Sequence, residues 1–127
     1  MQLTRVPGEY SICRLDADAE SPPWANRGFV SITRTEDELS IVCLSSLLPS
    51  DGSVPGLARE DGWGMIKVLG PLDFGLTGVI SSIAAPLADH RVSIFSISTY
   101  DTDYFLVKQE KMDLALGLLR SYGFELL

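Results

Sequence analysis

Two stretches of this chain are built to one plan. FVSITRTEDELSIV at 29–42 and VSIFSISTYDTDYFLV at 92–107 each set strand-forming residues on both sides of a short acidic turn, with Arg or Tyr inside it. Runs of β-branched and aromatic residues broken by Asp, Glu and Thr read as hairpins. A 127-residue chain that carries the same hairpin twice is expected to consist of two related halves. So few strands per half are weak alone, so the two sheets are expected to join or pack on each other.

The C-terminal half is the fuller copy. Trp63 to Leu69 alternates as a strand does, and Gly70-Pro71 stops it. From Thr77 the period changes, with Val79, Ile80, Ile83, Ala84 and Leu87 on one helical stripe. Thr77 is the expected N-cap, and His90 and Arg91 suit the negative end of the helix. Pro86 frees the carbonyl of Ser82 and is expected to bend the last turn. Val92 to Ser98 is apolar on both pleat faces, which predicts a strand covered on both sides. Tyr104 to Val107 is the next strand. Ala115, Leu118, Leu119 and Tyr122 form a second helical stripe beginning near Glu110, with Gly123 as the C′ residue and Phe124 folding back. Glu125 to Leu127 completes the order strand, helix, strand, strand, helix, strand. This is the α+β, ferredoxin-like βαββαβ plan.

The N-terminal half is a reduced copy. Tyr10 to Leu15 is a strand, Ser21 to Asn26 is expected to form one helical turn, and Phe29–Thr33 and Leu39–Leu44 form the hairpin. The second helix is missing, and Pro49 to Gly56 reads as a connector. The expected division is a reduced repeat with its connector at 1–58 and a complete repeat at 59–127.

Charge narrows the partners. Ten Lys and Arg against 17 Asp and Glu give a net charge of -7. Nucleic acids and anionic membranes are held chiefly by cationic side chains, so neither is an expected partner. No apolar run approaches the roughly 20 residues that span a bilayer. Cys13 and Cys43 lie in apolar strands, without CxxC spacing and with no signal peptide before them. They read as buried free thiols of a cytoplasmic protein. One histidine and no Cys/His/Asp cluster of metal spacing leave no metal and no cofactor to expect. His90 lies at the far end of a helix from the glycine loop, so a Ser-His dyad is not expected either, and the reading is non-enzymatic.

What the residues do offer is a seat for a small zwitterion. A helix N-terminus preceded by Asp73, Gly75 and Gly78 presents backbone N–H groups and partial positive charge to a carboxylate. Asp73 or Asp103 can then take an ammonium or guanidinium group through charge-assisted hydrogen bonds. The plainer alternative is that the glycines shape the helix start and that Asp73 and Asp101 only build turns.

The segment GPLDFGLTGVISSIAAPLADHRVSIFSISTYDTDYFLVK, 70–108, resembles the ACT-domain family, and GFVSITRTEDELSIVC at 28–43 with PGEYSICRL at 7–15 resembles its shorter N-terminal repeat. The likeness is to small prokaryotic tandem-ACT proteins, and beyond them to the ACT repeats of aspartate kinases and of animal cytosolic arginine sensors. It implies two tandem ACT-like repeats and a regulatory amino-acid site at the loop leading into the first helix, between the repeats. That loop holds Asp73, Phe74, Gly75, Thr77 and Gly78, and its spacing is two residues longer than the family's usual Asp-x-x-Gly. Ser98, Thr99 and Asp103 resemble the ligand side of the arginine sensors. Ser45 and Ser46, at the end of a strand, are candidates for the first repeat's side of the pocket. A homodimer is expected from side-by-side strands. The rival reading is a dimerisation or protein-interaction module whose pocket has degenerated.

Overall fold

The computed structural model describes residues 1–49 and 52–127; of the expected connector Pro49–Gly56, residues 50 and 51 lie outside these. The elements run β1 (Gln2–Leu15), β2 (Ser31–Arg34), β3 (Leu39–Leu44), β4 (Ala58–Val68), α1 (Val79–Asp89), β5 (Phe95–Ser98), β6 (Asp103–Lys108), α2 (Met112–Ser121) and β7 (Glu125–Leu126). Short 3-10 turns follow β3 and β6, at Ser45–Leu47 and Gln109–Lys111. The chain divides into two units, Met1–Pro7 with Gly64–Leu127, and Gly8–Trp63. The divisions at 7/8 and 63/64 fall within β1 and β4.

The C-terminal unit carries the ferredoxin-like succession β4-α1-β5-β6-α2-β7, with one addition. β7 does not flank β4; it pairs in parallel with β1, Gln2 opposite Glu125 and Leu3 opposite Leu126. On its other side Gln2 accepts a bond from the Leu69 amide at 2.9 Å. The order is therefore β7-β1-β4-β6-β5. A tail of seven residues supplies the missing backbone partners of two strands, which local periodicity could not foretell. β5 and β6 pair antiparallel, Phe95 with Leu106 through Ser98 with Asp103.

Alternation then sorts the side chains. Phe105 and Val107 of β6 and Ile66 and Val68 of β4 face the helices, where they meet Val79, Ile83, Leu87, Ala115 and Leu119. The expected stripes are largely those buried, with two exceptions. Ile80 and Tyr122 lie on the exposed side of their helices. Pro86 stays inside α1, about one turn from its end, and has no amide to offer the Ser82 carbonyl.

Both helices end in the same way. At α2 the Phe124 amide reaches the Leu119 carbonyl and the Gly123 amide reaches Arg120, each at 3.1 Å, a Schellman cap with Gly123 at φ 98°. At α1 the Val92 amide bonds Leu87 at 2.9 Å and the Arg91 amide bonds Ala88 at 3.0 Å, but the left-handed position, φ 59°, is held by an arginine. A left-handed L-residue costs roughly 1–2 kcal/mol, and glycine's extra backbone entropy takes back about 0.5–1 kcal/mol. Arg91→Gly is accordingly expected to stabilise the fold by roughly 0.5–1 kcal/mol, whereas Gly123→Ala destabilises it; urea titration of the two variants distinguishes the signs.

The other unit, Gly8–Trp63, has the order β2-β3-β1-β4, with the first part of β4. Its core gathers Cys13, Leu15, Leu39, Ile41, Cys43 and Leu48, with Trp24 packed against them. The expected helical turn at Ser21–Asn26 is only a turn, the Ala25 amide meeting Pro22 at 3.3 Å, since nothing follows to propagate it. Both thiols are free and buried. Hydrogen bonding to Cys43, together with burial, pushes the Cys13 thiol above the ordinary thiol range, so it stays protonated.

Candidate ligand-binding site

Two segments of the C-terminal unit, the loop from β4 to α1 and the turn from β5 to β6, come together because their backbones bind each other. The Leu72 amide donates to the Asp101 carbonyl at 2.6 Å. Gly70 sits so close to this junction that a β-carbon there would lie 2.8 Å from the Asp101 oxygen, which only glycine avoids. Gly70-Pro71 is a cis peptide.

Each segment is internally braced. Asp73 Oδ1 accepts the Gly75 amide at 2.8 Å and its carbonyl accepts Leu76 at 3.0 Å, so Asp73 builds an Asx turn. On the facing side the turn is organised by Thr99, and not by Asp101 as its position suggests. The Thr99 amide and hydroxyl both donate to the Thr102 carbonyl, at 2.8 and 3.0 Å. Thr102 is 4% exposed, and its hydroxyl donates to the Val68 carbonyl at 2.5 Å, tying the turn to β4. Thr102→Val keeps the volume and removes this donor, leaving a buried carbonyl with less to bind. A loss of about 1–2 kcal/mol is expected, read as a lowered urea midpoint with unchanged m-value.

Between the two segments lies a cleft of about 380 Å³. Of the residues singled out from the sequence, Asp73, Phe74, Gly78, Ser98, Thr99 and Asp103 line it. Gly75 and Thr77 stand on the same loop without lining it. Leu72, Leu76, Val79, Ile80, Ser81, Tyr100, Asp101 and Thr102 complete the wall and escaped the sequence reading, although their adjacency to the chosen residues was a signal. Asp103 belongs to the first position of β6, half-buried, and not to the turn.

The cap of α1 is Gly78, φ 78°, in place of the expected Thr77. A left-handed glycine swings the chain into the helix without presenting an oxygen. No side chain caps α1 and no acidic residue occupies its first turn. The amides of that turn therefore remain for the cleft, which Gly78, Val79, Ile80 and Ser81 line. At the mouth, Phe74 and Tyr100 meet edge to face with ring centroids 4.9 Å apart. They are 75% and 80% exposed.

Ser45 and Ser46 lie in the other unit and are not among the lining residues. Ser45 instead joins a polar chain there. Ser11 Oγ is 2.7 Å from Ser45 Oγ and donates to Asp61 at 2.6 Å, and Asp61 in turn pairs with Arg59 at 3.0 Å. Among the described residues no group of three or more His, Cys, Asp or Glu is arranged to hold a metal ion, and no helix is long and apolar enough to cross a membrane.

An α+β module of ferredoxin-like plan, with a cleft at the start of its first helix, defines the class. The ACT-domain model matches residues 58–121, half of the chain. The chain belongs to the ACT-domain family, whose relatives below include amino-acid sensing and regulatory proteins. A second family model, of an N-terminal domain, matches residues 8–51. A crystal structure of an Agobacterium tumefaciens protein is 41% identical and covers 99% of this chain and 91% of that one, with a TM-score of 0.89. The bovine cytosolic arginine sensor for mTORC1, subunit 1, is 29% identical over 100 residues, which are 72% of this chain and 30% of the relative. The chain thus spans under a third of that protein. The regulatory subunit of aspartate kinase from Thermus thermophilus shares the fold, with a TM-score of 0.65 at 11% identity over 97% of this chain and 98% of that one.

Proposed function

We propose that this chain is a non-enzymatic regulatory module that binds a free amino acid with a cationic side chain in the cleft between the 72–81 and 98–103 segments. One observation carries the reading: the cleft joins an uncapped helix N-terminus to three aspartates, Asp73, Asp101 and Asp103, with no Lys, Arg or His in its lining. The helix amides suit the α-carboxylate, and the aspartates suit the cationic groups. A ligand with net negative charge would meet three carboxylates and no counter-charge, so acidic and phosphorylated metabolites are disfavoured. Similarity to cytosolic arginine sensors makes arginine the first compound to try.

The ligand touches both segments, so binding favours the arrangement in which the loop and the turn are closed on each other. Two copies are expected to associate through β2 or β5, each of which ends its strand order with one edge unpaired. Light scattering that returned a monomer at micromolar concentration would remove the dimer from this reading.

The reading is tested by thermal melting of the full chain against all twenty amino acids. A ligand at about 100 times its Kd adds roughly 2.7 kcal/mol and raises the midpoint by several degrees. Arginine or lysine is expected to do so, and aspartate and glutamate are not. A flat panel would turn the interpretation to a docking module, for which the exposed Phe74, Leu76, Ile80 and Tyr100 at the mouth are the natural surface.

A further inference from the structure

The two hairpins correspond residue for residue. β2 at 31–34, β3 at 39–44 and the 3-10 turn at 45–47 recur 64 positions later as β5 at 95–98, β6 at 103–108 and the 3-10 turn at 109–111, with no insertion. The backbone before each 3-10 turn agrees, with φ -56° and ψ 132° at Leu44, and φ -57° and ψ 139° at Lys108. The turn chemistry agrees as well. The Thr35 amide donates to Glu38 at 2.9 Å as the Thr99 amide does to Thr102 at 2.8 Å. In return each threonine hydroxyl accepts the amide of the same partner, at 3.1 and 3.4 Å.

The strands that precede them also match. Cys13 and Leu15 of β1 face their core as Ile66 and Val68 of β4 face theirs. Aligned on those residues, Ala17 and Ala19 correspond to Gly70 and Leu72, of which Leu72 lines the C-terminal cleft. The connection that follows runs from 16 to 30 in one unit and from 69 to 94 in the other, a difference equal to the 11 residues of α1.

At this correspondence two ligand-side positions have changed. Asp103 is matched by Leu39, which is fully buried. Ser98, a short side chain on the cleft wall, is matched by Arg34. Its guanidinium crosses from the end of β2 to the facing loop, Nη1 donating to the Ala17 carbonyl and Nη2 to the Ala19 carbonyl at 2.7 Å. The Ala19 acceptor is thus the counterpart of Leu72, which lines the open cleft, and the Ala17 acceptor that of Gly70, which lies against Asp101 and Thr102 of its wall. A planar fork with donors on both terminal nitrogens fits two carbonyls spaced in this way, and a lysine does not reproduce it.

We propose that the N-terminal unit keeps a guanidinium seat, formed by the carbonyls of Ala17 and Ala19, and that the chain's own Arg34 fills it. The class of compound the seat takes is a monoalkyl guanidinium. The C-terminal unit then presents an open cleft, and its counterpart in the N-terminal unit is occupied from within. Only the comparison with an open cleft rests on the function proposed above; the seat itself is read from the Arg34 contacts.

The test is chemical rescue in the full-length chain. Arg34→Ala is expected to melt below the unsubstituted chain, and millimolar methylguanidinium is expected to raise its midpoint. The same compound should not raise the midpoint of the unsubstituted chain, and urea or ammonium should not rescue. Arg34→Lys should retain part of the midpoint and show no rescue. The measurement is repeated with Asp103→Asn also present, where rescue should persist. A failure of arginine to bind the open cleft therefore leaves this result untouched. Melting of Arg34→Ala at the unsubstituted midpoint, or equal shifts by methylguanidinium in every variant, would overturn the proposal. Should Arg34→Ala not fold, the side-chain NMR of the unsubstituted chain decides. Separate, slowly exchanging Arg34 Nη signals are expected, and a single averaged signal would overturn the seat.

Discussion

In Asp103→Asn the shift in melting midpoint produced by arginine is expected to shrink to half or less, while the ligand-free chain melts nearly where it did before. Asp103 is half-buried on the cleft wall, at the first residue of β6 opposite Ser98. Asparagine preserves its size and one acceptor but removes the charge. A hydrogen bond to a charged group contributes roughly 1.5–3 kcal/mol, so affinity should fall about 10- to 100-fold. At a fixed ligand concentration near 100 times the original Kd, the stabilisation then falls from roughly 2.7 kcal/mol to about 0.4–1.4 kcal/mol. The companion substitutions grade the three carboxylates. Asp73 already spends Oδ1 on the Gly75 amide, so Asp73→Asn should weaken binding less than Asp103→Asn does. Loss of fold stability in ligand-free Asp103→Asn would instead make Asp103 a structural residue, and the cationic-ligand reading would lose its main anchor.

The second large effect concerns the scaffold that holds the cleft. Phe105 is 0% exposed and lies on the helix-facing side of β6 among Ile66, Val68, Ile83, Leu87 and Leu119. Removing a buried aromatic ring forfeits its transfer free energy and leaves a cavity that its neighbours fill only in part. Phe105→Ala is expected to cost about 3–5 kcal/mol, a large share of the roughly 5–15 kcal/mol that holds a domain folded. Tyr100→Ala removes a ring of similar size from the cleft mouth and should change stability by no more than about 0.5 kcal/mol. Urea denaturation of the pair separates core from rim. A Phe105→Ala loss under about 1 kcal/mol would mean that β6 does not pack as described.

These expectations draw unequally on sequence and structure. The period of the apolar residues was enough to identify α1, α2 and most strands, since side-chain direction repeats every 3.6 residues in a helix and every two in a strand. Gly123 was legible as a helix stop for the same local reason. Arg91 was not, because its left-handed backbone is enforced by amide bonds from Arg91 and Val92 back to Ala88 and Leu87, which overrule the residue's own preference. Thr77 looked like a cap by composition, yet Gly78 became one because the loop must turn with positive φ into the helix.

The chemistry of the site divides in the same way. Asp73, Gly78 and Asp103 could be chosen one at a time, from glycine's backbone freedom and the charge of aspartate. That Leu72 and Asp101 bind each other and bring the two segments to one cleft is a contact between residues far apart in the chain. So is the span of Arg34 across to Ala17 and Ala19, and so is the insertion of Gln2 and Leu3 between β4 and β7. Local sequence determined which segments are strands, helices and turns, because those choices are made within a few residues by sterics and hydrogen bonding. Tertiary structure alone decided which backbone groups pair across distance, because each unpaired donor or acceptor accepts whatever partner the folded chain brings within about 3 Å.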